Sequence, residues 1–312
     1  MNLSRQKLQI VAFLNPFAGT VEKHGAEAVR NTLTAAFERQ GVLARIKFLP
    51  GSKLRSAVQR ARDDVRDGKL DAVVVGGGDG SVHTAAGALV GSAVPLGVLP
   101  LGTLNHFAKD LRIPLAIDDA ITVIAARHAH AVDVGEVNGE TFVNNSSIGI
   151  YPYVVLDRER WRSKRGLHKW AAMFFAVLRT FRNFPLHRLT VNAAGLAEPC
   201  RTPCVFVGNN EYDLAVPKIG RRERLDGGEL CLYVARPQSR LSLLWLACRC
   251  MLGLVEQARD LRILKVGAAE ITSRKRRLLV ALDGEVETMQ PPLRYRTRPN
   301  ALLVLVPPPA QA

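Results

Sequence analysis

Apolar residues in the first 130 positions follow two alternating rhythms. Short continuous runs, Leu8–Leu14, Val42–Phe48, Ala72–Val75 and Pro95–Leu99, have the length and branched content of buried strands. Between them the apolar positions take helical spacing. Ala26, Val29, Leu33 and Phe37 recur within His24–Gln40, and Leu54, Val58, Ala61 and Val65 within Lys53–Arg66. Val82, Ala85, Ala86 and Leu89 follow the third run, and a further helix is predicted at about Ile117–Arg127. Strand alternating with helix predicts a parallel sheet covered on both faces.

From about Ala131 the rhythm changes. Val132–Val137, Thr141–Ile148, His187–Asn192, Pro203–Val207, Glu229–Val234, Ile263–Val266, Ala269–Ser273, Leu278–Leu282 and Leu302–Val306 read as short strands. Turn residues such as Asn138-Gly139 and Asp226-Gly227-Gly228 separate them. Two helices interrupt, Leu167–Phe184 and Leu241–Arg259, and Arg158–Arg165 reads as a basic loop. The expected organisation is an α/β domain over 1–130 and a β-rich, sandwich-like domain over 131–299, with a strand at about 300–312 returning to the first.

Ligands of parallel sheets bind at the carboxyl ends of the strands. Here those ends are three glycine-bearing turns: Asn15-Pro16-Phe17-Ala18-Gly19, Gly76-Gly77-Gly78-Asp79-Gly80-Ser81 and Leu101-Gly102-Thr103. Glycine lets backbone approach a ligand closely, and amides opening the next helix form an anion site. The turns therefore predict a polyphosphate cradle. It is neither a dinucleotide fingerprint, which needs glycine where Ser81 stands, nor a P-loop, which needs lysine where Thr103 stands.

The 312 residues allow two domains, and 47% hydrophobic with 23% charged residues is an ordinary globular balance. The formal charge of +15 suits an anionic partner. Aromatics are only 6% and no nucleic-acid module is recognisable, so an acidic membrane or a polyphosphate is the expected partner and nucleic acid is not. The five cysteines lack zinc spacing and read as reduced thiols of a cytoplasmic protein. Leu8–Leu14 runs into Asn15-Pro16 and reads as a strand, not a secretion signal. No apolar run approaches the roughly 20 residues that span a bilayer. In the Leu167–Phe184 helix, Trp170, Met173, Phe174, Val177 and Phe181 share one face. Arg165, Lys169, Arg179 and Arg182 surround the other, a pattern that fits a membrane surface or an ordinary core-packing helix.

Phosphoryl transfer needs a cradle, a divalent cation and a base. The carboxylates on turns are Asp79, Asp133, Asp226 and the Asp283-Gly284-Glu285 group. Gly76–Ser81 (GGGDGS) followed by Leu99–Leu111 (LPLGTLNHFAKDL) resembles the catalytic domain of the diacylglycerol kinase family. That family includes bacterial lipid kinases and sphingosine kinases and is related to NAD kinases and phosphofructokinases. Phe142–Gly149, Gly208-Asn209, Leu225–Leu230 and Leu282–Glu285 continue the resemblance in order over nearly the whole chain.

The resemblance implies an ATP- and Mg2+-dependent lipid kinase. Asn15, Pro16, Phe17, Ala18, Gly19, Gly77, Gly78, Asp79, Gly80, Ser81, Gly102, Thr103 and Asn105 would hold ATP. Asp226 would place magnesium, with groups near Glu223 and Gly228 as co-ligands. Glu285 would take the hydroxyl proton, and Asp283, Asp79 and Asp133 would complete an acidic, water-bridged network around the metal. Choosing Glu285 over Asp283 as the base comes from the family alone. The chain departs from the family at His83-Thr84, at His106 and across Asn210–Gly220, which has fewer glycines. The implied protein works peripherally at an anionic membrane on a lipid such as diacylglycerol or a sphingoid base, with a homodimer allowed. The alternatives are a soluble kinase of NAD or a sugar, and a nucleotide-binding regulator without catalysis.

Overall fold

A computed structural model describes residues 7–165, 186–213, 220–236, 239, 241, 242, 245, 249 and 260–309. The expected helix at Leu167–Phe184, most of that at Leu241–Arg259 and positions 214–219 lie outside the described residues. The chain divides into two compact units. One comprises Met1–Val134 with Asn300–Ala312, the other Gly135–Pro299.

The first unit is the α/β layer. Its parallel strands are β1 (Leu8–Leu14), β2 (Val42–Phe48), β3 (Ala72–Gly77) and β4 (Leu96–Pro100), in the order β2-β1-β3-β4. Every residue of β3 and β4 is buried, as a central strand covered on both faces requires. The helices are α1 (Gly19–His24), α2 (Ala26–Arg39), α3 (Gly51–Arg66), α4 (Asp79–Leu89), α5 (His106–Asp110) and α6 (Ile117–Ala125). The helix expected over His24–Gln40 is α2, and the short α1 before it, which the sequence reading did not anticipate, is ended by Gly25 at φ 84°. The last strand of the chain, β16 (Leu293–Leu305), joins β4 in parallel through Val304 opposite Leu96.

The second unit begins within β5 (Ala129–Val137), so the boundary expected at 130/131 falls inside a strand. Its antiparallel elements are β6 (Glu140–Phe142), β7 (Asn145–Gly149), β8 (His187–Ala193), β9 (Leu196–Thr202), β10 (Cys204–Asn209), β11 (Leu230–Ala235), β12 (Leu261–Val266), β13 (Ala268–Ser273), β14 (Leu278–Leu282) and β15 (Glu285–Met289). They form two sheets, one running β16-β13-β8-β9 and the other β12-β11-β10-β7-β14-β15. Phe142, Ile148, Leu189, Val205, Leu232, Ile271 and Tyr295 belong to one buried apolar cluster. Tyr295 meets Phe142 edge-on at 6.3 Å and shares a 3.0 Å hydrogen bond with Ser146 Oγ, so its polar end is satisfied in an apolar core.

Three expectations need correction here. Thr141–Ile148 is not one strand: β6 pairs with β5, whereas β7 pairs with β10 and β14, so the chain changes sheet at Val143-Asn144. Arg158–Arg165 is not a loop but the end of α7 (Ile150–Arg165). β9 and β15 went unread, because each is a mostly exposed edge strand with little apolar content. Among the described residues no helix is long and apolar enough to cross a membrane. Cys200, Cys204 and Cys231 are free thiols, and burial pushes Cys204 up to about 12 and Cys231 to about 11.

One core group gives stability a pH dependence. His187, on β8 at 3% exposed, has no hydrogen-bond partner on either ring nitrogen. Burial, and secondarily the charge of Lys275, holds it down at about 4, so it is neutral in the fold. The unfolded chain takes up a proton near pH 6.5 that the fold refuses, so this contribution is full above that pH and shrinks as pH falls toward 4. Wild type should lose on the order of 3 kcal/mol more than His187→Leu between pH 7 and pH 4. Urea unfolding of both proteins across that range checks the difference.

Candidate active site

In the first unit the three glycine turns come together at the carboxyl ends of β1, β3 and β4. Asn15 follows β1. Its backbone N–H donates to Gly76 O at 2.9 Å and its side-chain amide to Ser81 Oγ at 3.2 Å, tying the first turn to the second. Its Oδ1 accepts from Phe17 N, closing an Asx turn through Pro16 that leaves Phe17 70% exposed and Ala18 buried. Thr20 N donates to Leu101 O at 3.3 Å, which ties the first turn to the third.

The second and third turns lie against each other. A Cβ on Gly102 would stand 3.0 Å from Gly78 N and 2.8 Å from Asn105 Oδ1, and nearer still to Gly78 Cα. A Cβ on Gly77 would stand 2.5 Å from Ser81 Oγ. Both positions therefore need glycine for space. Asn105, left-handed at φ 52°, holds the third turn by accepting from Gly102 N and donating to Gly102 O. Asp79 opens α4 and accepts from Phe107 N at 3.3 Å, joining α4 to α5. Gly78 caps α4 with no side-chain bond, and a helix start leaves its first N–H groups available to an anion. Thr103 is exposed beside Gly19, 4.0 Å from where a Cβ on Gly19 would lie. Gly80 O accepts the Thr84 hydroxyl, so this departure from the family satisfies itself within α4. His83 is buried and His106 exposed.

The close approach makes a prediction. Gly102→Ala forces the second and third turns apart, and overpacking of that kind costs about 1–3 kcal/mol. Calorimetric titration with Mg-ATP should show affinity lowered about 10- to 100-fold. Gly51→Ala, with nothing within 4 Å, should leave it unchanged.

Asp133, fully buried at the end of the first unit, accepts from Asn300 N at 2.9 Å. That bond ties the returning strand to β5.

In the second unit the carboxylates divide their work. Asp283 and Gly284, at φ 48° and 91°, form the two-residue turn between β14 and β15, as their positive φ values allow. The Asp283 carboxylate accepts from Val143 N at 2.8 Å, Asn144 N at 2.7 Å and Asn145 N at 3.0 Å. Arg222, only 4% exposed, grips the same bend from its other side. It donates to Val143 O at 2.7 Å, Asn209 O at 3.0 Å and Asn144 Oδ1 at 2.8 Å, with its guanidinium 5.3 Å from the Tyr212 ring centre. The bend where the chain changes sheets is thus held by a carboxylate on its N–H groups and a guanidinium on its carbonyls. Sequence reading missed Arg222, because it stands in the charge run Arg221–Arg224 and looks solvated.

Glu285 begins β15, exposed, opposite Leu282, and among the described residues its carboxylate has no ion pair or hydrogen bond. The Asp283 turn fixes where it stands. Asp226 is half-buried and paired with Arg224 at 3.1 Å, while the following Gly227 N donates to Asn210 Oδ1 at 2.9 Å. Glu223 and Gly228 lie on the same loop. No cluster of three or more His, Cys, Asp or Glu side chains occurs among the described residues. One carboxylate with nearby carbonyls still suits magnesium, which keeps waters and phosphate oxygens as its other ligands. A slot of about 160 Å³ also opens between β8–β9 and β11–β12. Val191, Ala193, Cys200, Val234 and Leu264 line it, with the Glu198–Arg262 ion pair beside them.

Residues 9–137 match the family model described as diacylglycerol kinase catalytic domain. A probable YegS-like lipid kinase of Citrobacter koseri is 41% identical over 95 residues, 29% of this chain and 32% of that one. A probable lipid kinase YegS of Escherichia fergusonii is 41% identical over 91 residues, 28% and 30% of the two chains. The matched segment thus spans about a third of the length of these curated relatives. A solved diacylglycerol kinase of Bacillus anthracis str. Sterne superposes with TM-score 0.64 at 19% identity, over 96% of this chain and 97% of that one. A second structure from that organism gives 0.70 at 23% over the same shares. At such identities the likeness is one of fold.

Proposed function

We propose that this chain, whose residues 9–137 match the model of the diacylglycerol kinase catalytic domain, transfers the γ-phosphate of ATP to a lipid hydroxyl, on diacylglycerol or a sphingoid base. The observation that carries this reading is the convergence of three glycine turns at the ends of parallel strands, with Gly102 packed on Gly78 and Asn15 bonded to Ser81. Amides of Gly78–Ser81 and Gly102-Thr103 bind the polyphosphate, with the start of α4 favouring its charge. Glu285 accepts the hydroxyl proton as the lipid oxygen bonds to the γ-phosphorus and the bond to the ADP oxygen breaks. Its carboxylate, without a partner among the described residues, supports that role. Asp283 we read as a positioning residue that fixes the turn before Glu285. Magnesium, held by Asp226 with the carbonyls near Glu223 and Gly228, would neutralise charge on the phosphate oxygens. The exposed Arg224 pairing is weak enough for Asp226 to exchange. Asp133 we read as part of the support of β5.

The test is incubation of the protein with Mg-ATP and diacylglycerol or sphingosine in mixed micelles, with NAD and free sugars as parallel acceptors. Label from γ-phosphate should appear in lipid alone. Label in NAD or a sugar, or ATP binding without transfer to any acceptor, would replace this reading.

A further inference from the structure

Ion pairing among the described residues of the second unit is uneven. Arg224, Arg262, Lys265, Arg294 and Arg296 each meet a carboxylate, on Asp226, Glu198, Glu211, Glu270 and Glu136. Arg188, Arg201, Arg274, Lys275, Arg276 and Arg277 are all exposed, and none has an ion pair.

These six share one end of one sheet. Arg188 on β8 stands directly opposite Arg201 on β9. β13 runs antiparallel to β8 with Ser273 opposite Leu189, so the next position of that register sets Arg274 against Arg188. The proximity of Lys275 to His187, whose ionisation it disfavours, agrees with this placement. Like charges opposite each other across strands oppose folding, so the row costs stability that no carboxylate among the described residues returns. No Asp or Glu occurs in 186–192, 199–204 or 272–282.

We infer that this end of the sheet, with the Arg274–Arg277 connection as its crest, is a docking surface for an anionic lipid membrane. Unpaired, closely spaced cations complement a surface of anionic headgroups. The choice of a membrane over another polyanion rests on the lipid-kinase reading. Two features of the second unit agree with it. None of these six positions or their sequence neighbours supplies a tryptophan, tyrosine or phenylalanine for stacking nucleic-acid bases. The crest precedes β14, and Glu285 stands opposite Leu282 at its far end, so five steps at ~3.3 Å per residue set the two about 17 Å apart along the strand. One lipid molecule spans that distance.

The experiment is vesicle flotation of the full chain with pure phosphatidylcholine vesicles and with equimolar phosphatidylcholine/phosphatidylglycerol vesicles. Wild type should float only with the anionic vesicles, and less as salt is raised from about 0.1 to about 0.5 M. Arg274→Gln/Lys275→Gln/Arg276→Gln/Arg277→Gln should lower partitioning by about fivefold per charge removed, on the order of a hundredfold or more in all. A control from the first unit, Arg45→Gln/Lys47→Gln/Lys53→Gln/Arg60→Gln, removes as many exposed charges and should change partitioning far less. Arg188→Gln/Arg201→Gln should also weaken flotation while keeping or raising Tm, since it relieves repulsion. Equal losses from the two fourfold variants, equal flotation with both vesicles, or preferential binding of a single-stranded RNA oligonucleotide would overturn the assignment. Phosphorylation of a short-chain diacylglycerol dissolved as monomers separates the two readings. The crest variant should match wild type there, whereas absence of turnover in wild type counts against the kinase reading and leaves the flotation result standing.

Discussion

Glu285→Gln should lower lipid phosphorylation by about 10²- to 10⁴-fold, the range that a positioned proton acceptor contributes. Glutamine keeps the shape of the side chain and cannot take the proton. The residue is exposed and its carboxylate bonds to no other described residue, so Tm should move little and stability stay within about 0.5 kcal/mol. ATP affinity should be unchanged, because the cradle belongs to the other unit of the chain. Initial rates at saturating lipid, with calorimetric ATP titration of both proteins, check the pair of expectations. A rate within threefold of wild type would remove Glu285 as the base.

Asp283→Asn should produce the largest loss of stability. Its carboxylate accepts three backbone N–H groups, and hydrogen bonds to a charged group are worth about 1.5–3 kcal/mol each, not additively. Asparagine offers one oxygen and one NH2, so a donor faces a donor at one of the three. It also tolerates the φ of 48° at this position, so the change isolates the bonds from backbone strain. The expected cost is about 3 kcal/mol, or about 5 °C in Tm for a chain of this size. Calorimetric melting would show it, and an unchanged Tm would mean the three bonds do not hold the bend. Activity should fall too, because Glu285 immediately follows this turn.

How much of this was legible depends on whether the signal was local. Strands covered on both faces, such as β3 and β4, announce themselves as unbroken apolar runs, and the helices between them as 3.6-residue spacing. The glycine turns were legible for the same reason, since Gly77 and Gly102 answer a steric demand that leaves a mark in sequence. The break at Val143-Asn144 was not, because the groups that bend the chain, Asp283 and Arg222, are distant in sequence. The edge strands β9 and β15 were hidden by their exposure. The resemblance gave Asp283 a place in the acidic network, but only the structure reveals the three amides its carboxylate holds.

The central claim is that a cradle of strand-end amides and the Glu285 carboxylate together phosphorylate a lipid. It is tested most directly by mass spectrometry of a whole lipid extract incubated with the protein and Mg-ATP. The account predicts one lipid class gaining a single phosphate with wild type and none with Glu285→Gln. An extract unchanged by wild type, or phosphorylated equally by both proteins, would contradict it.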